Sequence, residues 1–70
     1  MRIVTSTIHE QLDLGTMWQV RERHTDSDNV VHEWLYHPEK GVDLNTKLAE
    51  HAVQLATNLA EAEAEALLNG

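Results

Sequence analysis

The sequence contains no cysteine and no phenylalanine, and only one of its 70 residues is proline. Without cysteine the chain can form neither disulfides nor thiolate metal sites. No apolar run exceeds a few residues, so we expect no transmembrane helix, no signal peptide, and a protein that is made in the cytoplasm. Because a domain this short buries only about 60% of its unfolded surface, we expect it to gain stability from a partner or from self-association.

Basic residues are also scarce. Five lysine and arginine residues stand against 12 aspartate and glutamate residues, which gives a formal net charge of −7. Nucleic-acid binding needs lysine and arginine to displace counterions from phosphates, and attachment to an anionic membrane needs the same charges. The composition therefore argues against both kinds of partner.

Residues 16–37 have the pattern of one antiparallel β-hairpin. The run Asp26-Ser27-Asp28-Asn29 predicts a type I turn followed by a residue in the left-handed conformation, which asparagine tolerates better than any residue except glycine. A three-residue loop centred on this run sets the register of the two strands. It pairs Asp26 with Val30, Thr25 with Val31, His24 with His32, Arg23 with Glu33, Glu22 with Trp34, and Val20 with Tyr36.

Alternation of side chains along the strands sorts the hairpin onto two faces. One face collects every aromatic residue of the chain; its members are Trp18, Val20, Val30, Trp34 and Tyr36. The other face is polar, with Gln19, Arg21, Arg23, Thr25 and Glu33, and its apolar exceptions are Val31 and Leu35. Such a mixture is typical of a contact surface, and a solvated ladder of charges is the alternative.

The segments on either side of the hairpin are less regular. Residues 2–8 are rich in β-branched types and predict a strand, which pairs either within the chain or with a neighbouring subunit. Residues 9–15 have the character of a connection in which Gly15 marks the bend into the hairpin. Pro38 cannot donate to a ladder, so the second strand of the hairpin is expected to end near His37.

Residues 43–68 predict one long amphipathic helix, with Asp43 or Asn45 as its N-cap and Asn69-Gly70 as its stop. Apolar residues recur at spacings of three and four along it, which is the stripe of a helix-packing face. Leu44 and Leu48 of this stripe are predicted to join Trp18, Val20, Trp34 and Tyr36 in the core.

The predicted helix is longer than the hairpin, whose strands span about 27 Å. The hairpin of the same chain is therefore not expected to cover the second half of the helix, which should contact a partner. The predicted interface consists of Leu55, Leu59, Ala62, Ala66 and Leu67, together with Val31 and Leu35 of the hairpin. Three glutamates, Glu61, Glu63 and Glu65, oppose the helix dipole near its C-terminus, and a basic partner surface would relieve them. A solvated acidic face is the alternative.

Five histidines invite a metal hypothesis. The register places His24 opposite His32, with β-carbons about 5 Å apart, and His9 or His51 could complete a site. Two ligands are not a site, however, and no HExxH-like spacing is present. We therefore predict no metal and no cofactor, and we interpret the pair as the polar end of the aromatic face.

Catalytic motifs are also missing from the sequence. There is no nucleophile elbow, P-loop or dinucleotide fingerprint, and a domain this small can hardly enclose a substrate. We predict no catalytic residues, no small-molecule substrate and no enzymatic activity. The patterns together predict one α+β domain over residues 1–70, with a small ββα fold that becomes βββα if the strand of residues 1–15 joins the hairpin.

The run WQVRERHTDSDNVVHEWLY, residues 18–36, followed by a short linker and an alanine-rich helix, resembles small proteins encoded among bacteriophage structural genes. Those proteins share a W-x-V-R-E-x-H-T-D-x-[DN]-G hairpin and a C-terminal helix rich in leucine and alanine. Here Asn29 stands where glycine is usual, which is a conservative exchange at a left-handed turn position. The resemblance covers the hairpin well and the helix only by pattern.

The resemblance implies a virion component, namely a capsid-decorating, neck, tail or baseplate protein. Such a protein would be made in the host cytoplasm and would act through contacts with copies of itself or with other virion proteins. The alternative function is a free acidic inhibitor, such as an anti-CRISPR-like mimic of nucleic acid. Mimicry needs a concentrated acidic face, whereas the acidic residues are dispersed over this chain and the hairpin carries Arg21 and Arg23.

Overall fold

The computed structural model describes residues 2–69 of the protein, which form a three-stranded antiparallel sheet and one helix. The elements are β1 (Ile3–Asp13), β2 (Trp18–Asp26), β3 (Val31–Tyr36) and α1 (Leu44–Asn69). The strands lie in the order β1-β2-β3, and α1 packs on one face of the sheet. The predicted α+β fold is confirmed, in its three-stranded form. Met1 and Gly70, which belong to the predicted domain and helix stop, lie outside the described residues.

The hairpin between β2 and β3 has the predicted register. His24 pairs with His32, Glu22 with Trp34 and Val20 with Tyr36. Asn29 has a φ of 64°, the left-handed conformation that the turn pattern requires. The Asp26 carboxylate supports the turn from inside, because its Oδ1 accepts hydrogen bonds from the backbone N–H groups of Asp28 and Val30 at 2.8 and 3.0 Å.

β1 pairs with β2 within the chain and is longer than the sequence indicated. The prediction that residues 9–15 form a connection is wrong, because the ladder continues to Asp13. Irregularities between Ile3 and Thr5, and between Ile8 and Glu10, each insert one extra residue into β1. Such bulges let a strand whose alternation is broken remain paired. The turn follows at Gly15, with a φ of 95°.

The connection from β3 to α1 is tied to the start of β2. The backbone N–H of Trp18 donates to the carbonyl of Pro38 at 2.9 Å. Lys40 lies 4.0 Å from the centre of a Trp18 ring and forms a 2.6 Å ion pair with Asp13. Asp43 is the N-cap of α1, since its carboxylate accepts from the backbone N–H groups of residues 45 and 46 at 3.0 and 3.4 Å.

The C-terminal part of α1 extends past the sheet. The helix has 26 residues and is about 39 Å long. His51 contacts Glu22, and the four residues from Glu22 to Asp26, where β2 ends, span about 13 Å. A helix covers this distance in about nine residues, so α1 passes the end of β2 near residue 60. Residues 60–68 are accordingly exposed, apart from half-buried Glu63. We call residues 60–68 the projecting end of α1. The molecule is 48 Å long and 18 Å wide.

No helix among the described residues combines the length and the apolar character that crossing a membrane would need.

Candidate functional site

The face of the sheet that α1 covers, the inner face, is unusually polar for a buried surface. Val20 is the only fully buried apolar residue in the described chain, and the next inward positions of β2 are Glu22, His24 and Asp26, all buried. Because side chains alternate along a strand, these residues form one row beneath the helix. Buried ionisable groups are tolerated only when their hydrogen bonds are satisfied, so each partner of this row matters.

The centre of the row is a relay of three polar side chains. Ser6 Oγ lies 2.7 Å from His24 Nδ1, and His24 Nε2 lies 2.7 Å from Glu22 Oε1. One proton arrangement satisfies all three groups. In that arrangement the Ser6 hydroxyl donates to Nδ1, and the Nε2–H of His24 donates to the Glu22 carboxylate. The relay therefore joins β1 to β2 through side chains as well as through the ladder.

His51 brings the helix into the same network. Its Nδ1 lies 2.9 and 3.0 Å from the two carboxylate oxygens of Glu22, so Glu22 accepts from two histidines at once. The imidazole of His51 stacks on Trp34, with ring centres 4.0 Å apart, and Tyr36 meets it edge-on at 4.8 Å. Aromatic contacts of this geometry add to the free energy of area burial. His51 is thus the main polar link between α1 and the sheet.

Tyr36 is the unsatisfied member of this group. Its hydroxyl is buried and is the one buried side-chain polar atom in the described residues that has no hydrogen-bond partner. Burial raises the pKa of Tyr36, and the nearby Glu22 carboxylate raises it further because two negative charges would be adjacent. The phenol is therefore neutral at physiological pH, and its ring contributes packing on His51.

A second polar pair closes the row at the hairpin turn. His32 Nε2 lies 2.8 Å from Asp26 Oδ2. The hydrogen bond from His32 holds the pKa of Asp26 below its usual value against the opposing effect of burial, and the backbone N–H groups of Val30 and Asp28 lower it further. Asp26 therefore links the turn to β3 as an ionised group.

The chemistry open to this network is limited. The order hydroxyl, imidazole and carboxylate matches the relay of serine hydrolases, but His24 is fully buried. Three of the histidines are hydrogen-bonded to carboxylates. Within residues 2–69 no group of three or more His, Asp or Glu side chains is arranged to hold a metal ion. A shallow depression of about 640 Å³ lies elsewhere, along one side of α1. The geometry is best explained if the network stabilises the fold by connecting β1, β2 and α1.

The predicted core residues are more buried than most of the predicted interface residues. Of the predicted core, Val20 is buried, and the others are half-buried: Trp18, Trp34, Tyr36, Leu44 and Leu48. Of the predicted interface, Leu55 and Leu59 are half-buried within the chain, whereas the others are exposed: Ala62, Ala66, Leu67, Val31 and Leu35. Of the predicted interface on α1, the exposed residues therefore all lie after Leu59. Val30, which the alternation assigned to the aromatic face, is exposed.

The opposite face of the sheet, which we call the outer face, has no covering element among the described residues. The Arg21 guanidinium donates to the Glu33 carboxylate at 3.0 Å. That hydrogen bond is the main reason why the pKa of Glu33 is below its usual value, and the charges of Arg21, Arg23 and His9 lower it further. Val31 and Leu35 lie beside these charges and are about half exposed. The outer face thus combines charges of both signs with apolar residues.

Sequence reasoning missed the roles of Ser6, Glu22 and His51. The register did place Glu22 next to His24 and Trp34, and His51 lies three residues after Leu48 and four before Leu55, on the stripe that faces the sheet. A polar residue on a predicted apolar stripe, opposite a polar residue on a predicted apolar strand face, is the signal that could have found the pair.

Comparison with protein-family models, with curated proteins and with solved structures finds no significant match to this chain. The resemblance of residues 18–36 to bacteriophage structural proteins therefore stays a prediction.

Proposed function

We propose that this protein is a non-enzymatic structural component of a bacteriophage particle, and that it acts through protein–protein contacts made by the projecting end of α1. Its partners would be copies of itself or other virion proteins. Nucleic acid, membranes and small-molecule substrates have no role in the proposal. The setting of a virion is supported by the resemblance of the hairpin sequence alone.

The observation that carries the proposal is the exposure of the projecting end. Leu67 and Leu68 are 85% and 87% exposed, although helices in proteins owe most of their stability to packing of an apolar face. The rest of the molecule offers little compensation, since Val20 is its only fully buried apolar residue in the described chain. A neighbouring protein that covers Leu67 and Leu68 would supply the missing apolar contact.

Polar substitution of the projecting end tests this proposal. Leu67→Gln combined with Leu68→Gln removes the apolar contact and changes no charge, and it is expected to abolish incorporation of the protein into particles. The measurement is the fraction of the protein that sediments with purified particles. The matched control is Val53→Gln, because Val53 is also exposed on α1, at 67%, but lies before the projecting end.

Circular dichroism of both variants should match that of the native chain, because none of the three side chains packs in the core. If the double variant joins particles as well as the control does, the projecting end is not the contact. If the native protein is absent from particles and acts alone, the proposed function as a whole is wrong.

A further inference from the structure

Within the described residues two surfaces are left uncovered, and each carries exposed groups that complement those of the other. The first is the outer face of the sheet, with its arginines and exposed aliphatic residues. The second is the projecting end of α1, with its glutamates and exposed leucines. Together they point to a specific occupant for each surface.

The outer face has room for one helix. Three strands spaced about 4.8 Å apart make a face about 14 Å wide, and a helix with its side chains is about 10 Å across. The inner face shows this fit directly, because α1 alone covers it. A second helix on the outer face would give a three-layer arrangement in which both faces of the sheet are packed.

One arginine of the outer face is open to a further carboxylate. Arg21 stands between two cross-strand carboxylates, those of Glu10 on β1 and Glu33 on β3, and it is bonded to Glu33. Arg23 stands opposite Glu33 in the ladder and forms no salt bridge within the described residues. Glu10 on β1 accepts only a long hydrogen bond from Gln19, at 3.5 Å. The central strand therefore presents one arginine, Arg23, that forms no salt bridge within the described residues, with Val31 and Leu35 on the neighbouring strand.

The projecting end supplies the complementary chemistry. Glu61, Ala64, Glu65 and Leu68 follow the spacing i, i+3, i+4 and i+7, so they share one side of the helix; all four are exposed. No lysine or arginine occurs in the sequence after Lys47. Glu61 and Glu65 repel each other and oppose the helix dipole, and a basic neighbour would correct both defects.

We infer that the projecting end of one copy docks on the outer face of the next copy, in a head-to-tail arrangement. Glu61 and Glu65 approach Arg23 of β2, and Leu68 packs beside Val31 and Leu35. One chain cannot make this contact with itself, because α1 lies on the inner face. The inference rests on the proposed function, and it names the partner of the same surface.

A contact between two unlike surfaces has a predictable consequence. A pair of copies keeps one free projecting end and one free outer face, so the contact repeats and builds a ring or an open filament. Each contact involves little more than two helical turns and is therefore at the weak end of protein interfaces. It also relies on exposed charges, so it weakens as salt is added.

Charge reversal separates this arrangement from a symmetric dimer. Arg23→Glu spoils the outer face, and Glu61→Lys with Glu65→Lys spoils the projecting end; sedimentation velocity at low salt measures the mass of each. Either variant alone is expected to lose self-association. Lys47→Glu is the matched control, because it changes the net charge as Arg23→Glu does but lies on neither surface. It is expected to associate as the native chain does.

Mixing the two variants is the decisive step. In the mixture the intact projecting end of the Arg23→Glu chain docks on the intact outer face of the lysine variant, and the reversed projecting end of the lysine variant docks on the reversed outer face of the Arg23→Glu chain. Association is therefore expected to return, with the two chains alternating. Combining all three changes in one chain should restore association, since both surfaces are then reversed. Thermal melting checks that each variant is folded, and the lysine variant should melt slightly higher because it relieves the helix dipole.

Other outcomes overturn the inference. A native chain that stays monomeric at high concentration and low salt, a mixture that forms no pair, or association that only Arg23→Glu disrupts would each exclude head-to-tail docking. The last result would indicate a symmetric dimer through the sheet. None of these outcomes contradicts the proposed function if the Leu67 and Leu68 double variant is still lost from particles, because the partner of the projecting end is then another protein.

Discussion

The two faces of one sheet behave differently in this protein. On the inner face, acidic and imidazole groups are buried and bonded to one another, and the geometry of each is set by its neighbours. On the outer face, side chains of similar type are exposed, and Arg23 forms no salt bridge within the described residues. Position relative to α1 separates them, because residues from both faces alternate along the same strands. The polar groups that stabilise the fold therefore differ in burial, rather than in chemical type, from those that are free to bind a partner.

This difference has an energetic side. A buried polar network stabilises a fold only when every member is satisfied, since each unsatisfied group carries the full cost of leaving water. The inner network meets that condition except at the Tyr36 hydroxyl. Exposed ion pairs contribute little, because water and salt screen them. The same chemical change should therefore have unequal effects on the two faces.

The largest effect is expected at Glu22. Glu22→Ala leaves His24 and His51 buried without their common acceptor, and breaking a buried pair of this kind costs about 3–5 kcal/mol. A domain of this size is expected to be largely unfolded by such a loss. Urea denaturation followed by tryptophan fluorescence measures the change, since Trp34 lies against His51.

An isosteric pair of variants sharpens the comparison. Glu22→Gln keeps the shape of the buried side chain but has one oxygen where two accept now, so it should destabilise the fold less than alanine does. Glu33→Gln makes the same chemical change on the outer face, where the carboxylate is exposed, and should leave the unfolding midpoint unchanged. Equal effects of the two glutamine variants would show that the inner network is no more important than the outer ion pair.

Much of this organisation could be predicted from the sequence. Asn29 and Asp26 define the turn, and alternation then gives the register of β2 and β3 without error. The length of β1 could not be predicted, because the bulge at residue 9 breaks the alternation that marks a strand. The inner network was visible only in part. Its members Ser6 and His51 come from other elements, and local patterns do not say which groups tertiary packing brings together.

An intermediate effect is expected at Asp26, and it depends on pH. The pKa of this carboxyl is lower in the folded protein than in the unfolded chain, mainly because of His32. Its contribution to stability is therefore complete above the ordinary carboxyl pKa of about 3.9 and is lost as the pH falls through the lower, folded value. Asp26→Asn should make the melting temperature less dependent on pH in the acid range. Asp28→Asn, which removes a carboxyl from the same turn without contacting His32, should keep the native profile.

A small effect on folding is expected at Leu35, on the outer face next to inward-facing Trp34. Leu35 is 48% exposed, and threonine suits a strand as well as leucine does, so Leu35→Thr should change the free energy of unfolding by no more than about 0.5 kcal/mol. Self-association should nevertheless weaken, because Leu35 forms part of the apolar surface on which Leu68 is proposed to dock. Chemical denaturation at low protein concentration measures the first quantity, and sedimentation velocity at high concentration measures the second. A loss of stability that disappears on dilution would still assign Leu35 to an interface. A loss that persists in the dilute monomer would place Leu35 in the core of the single chain and remove it from the outer contact surface.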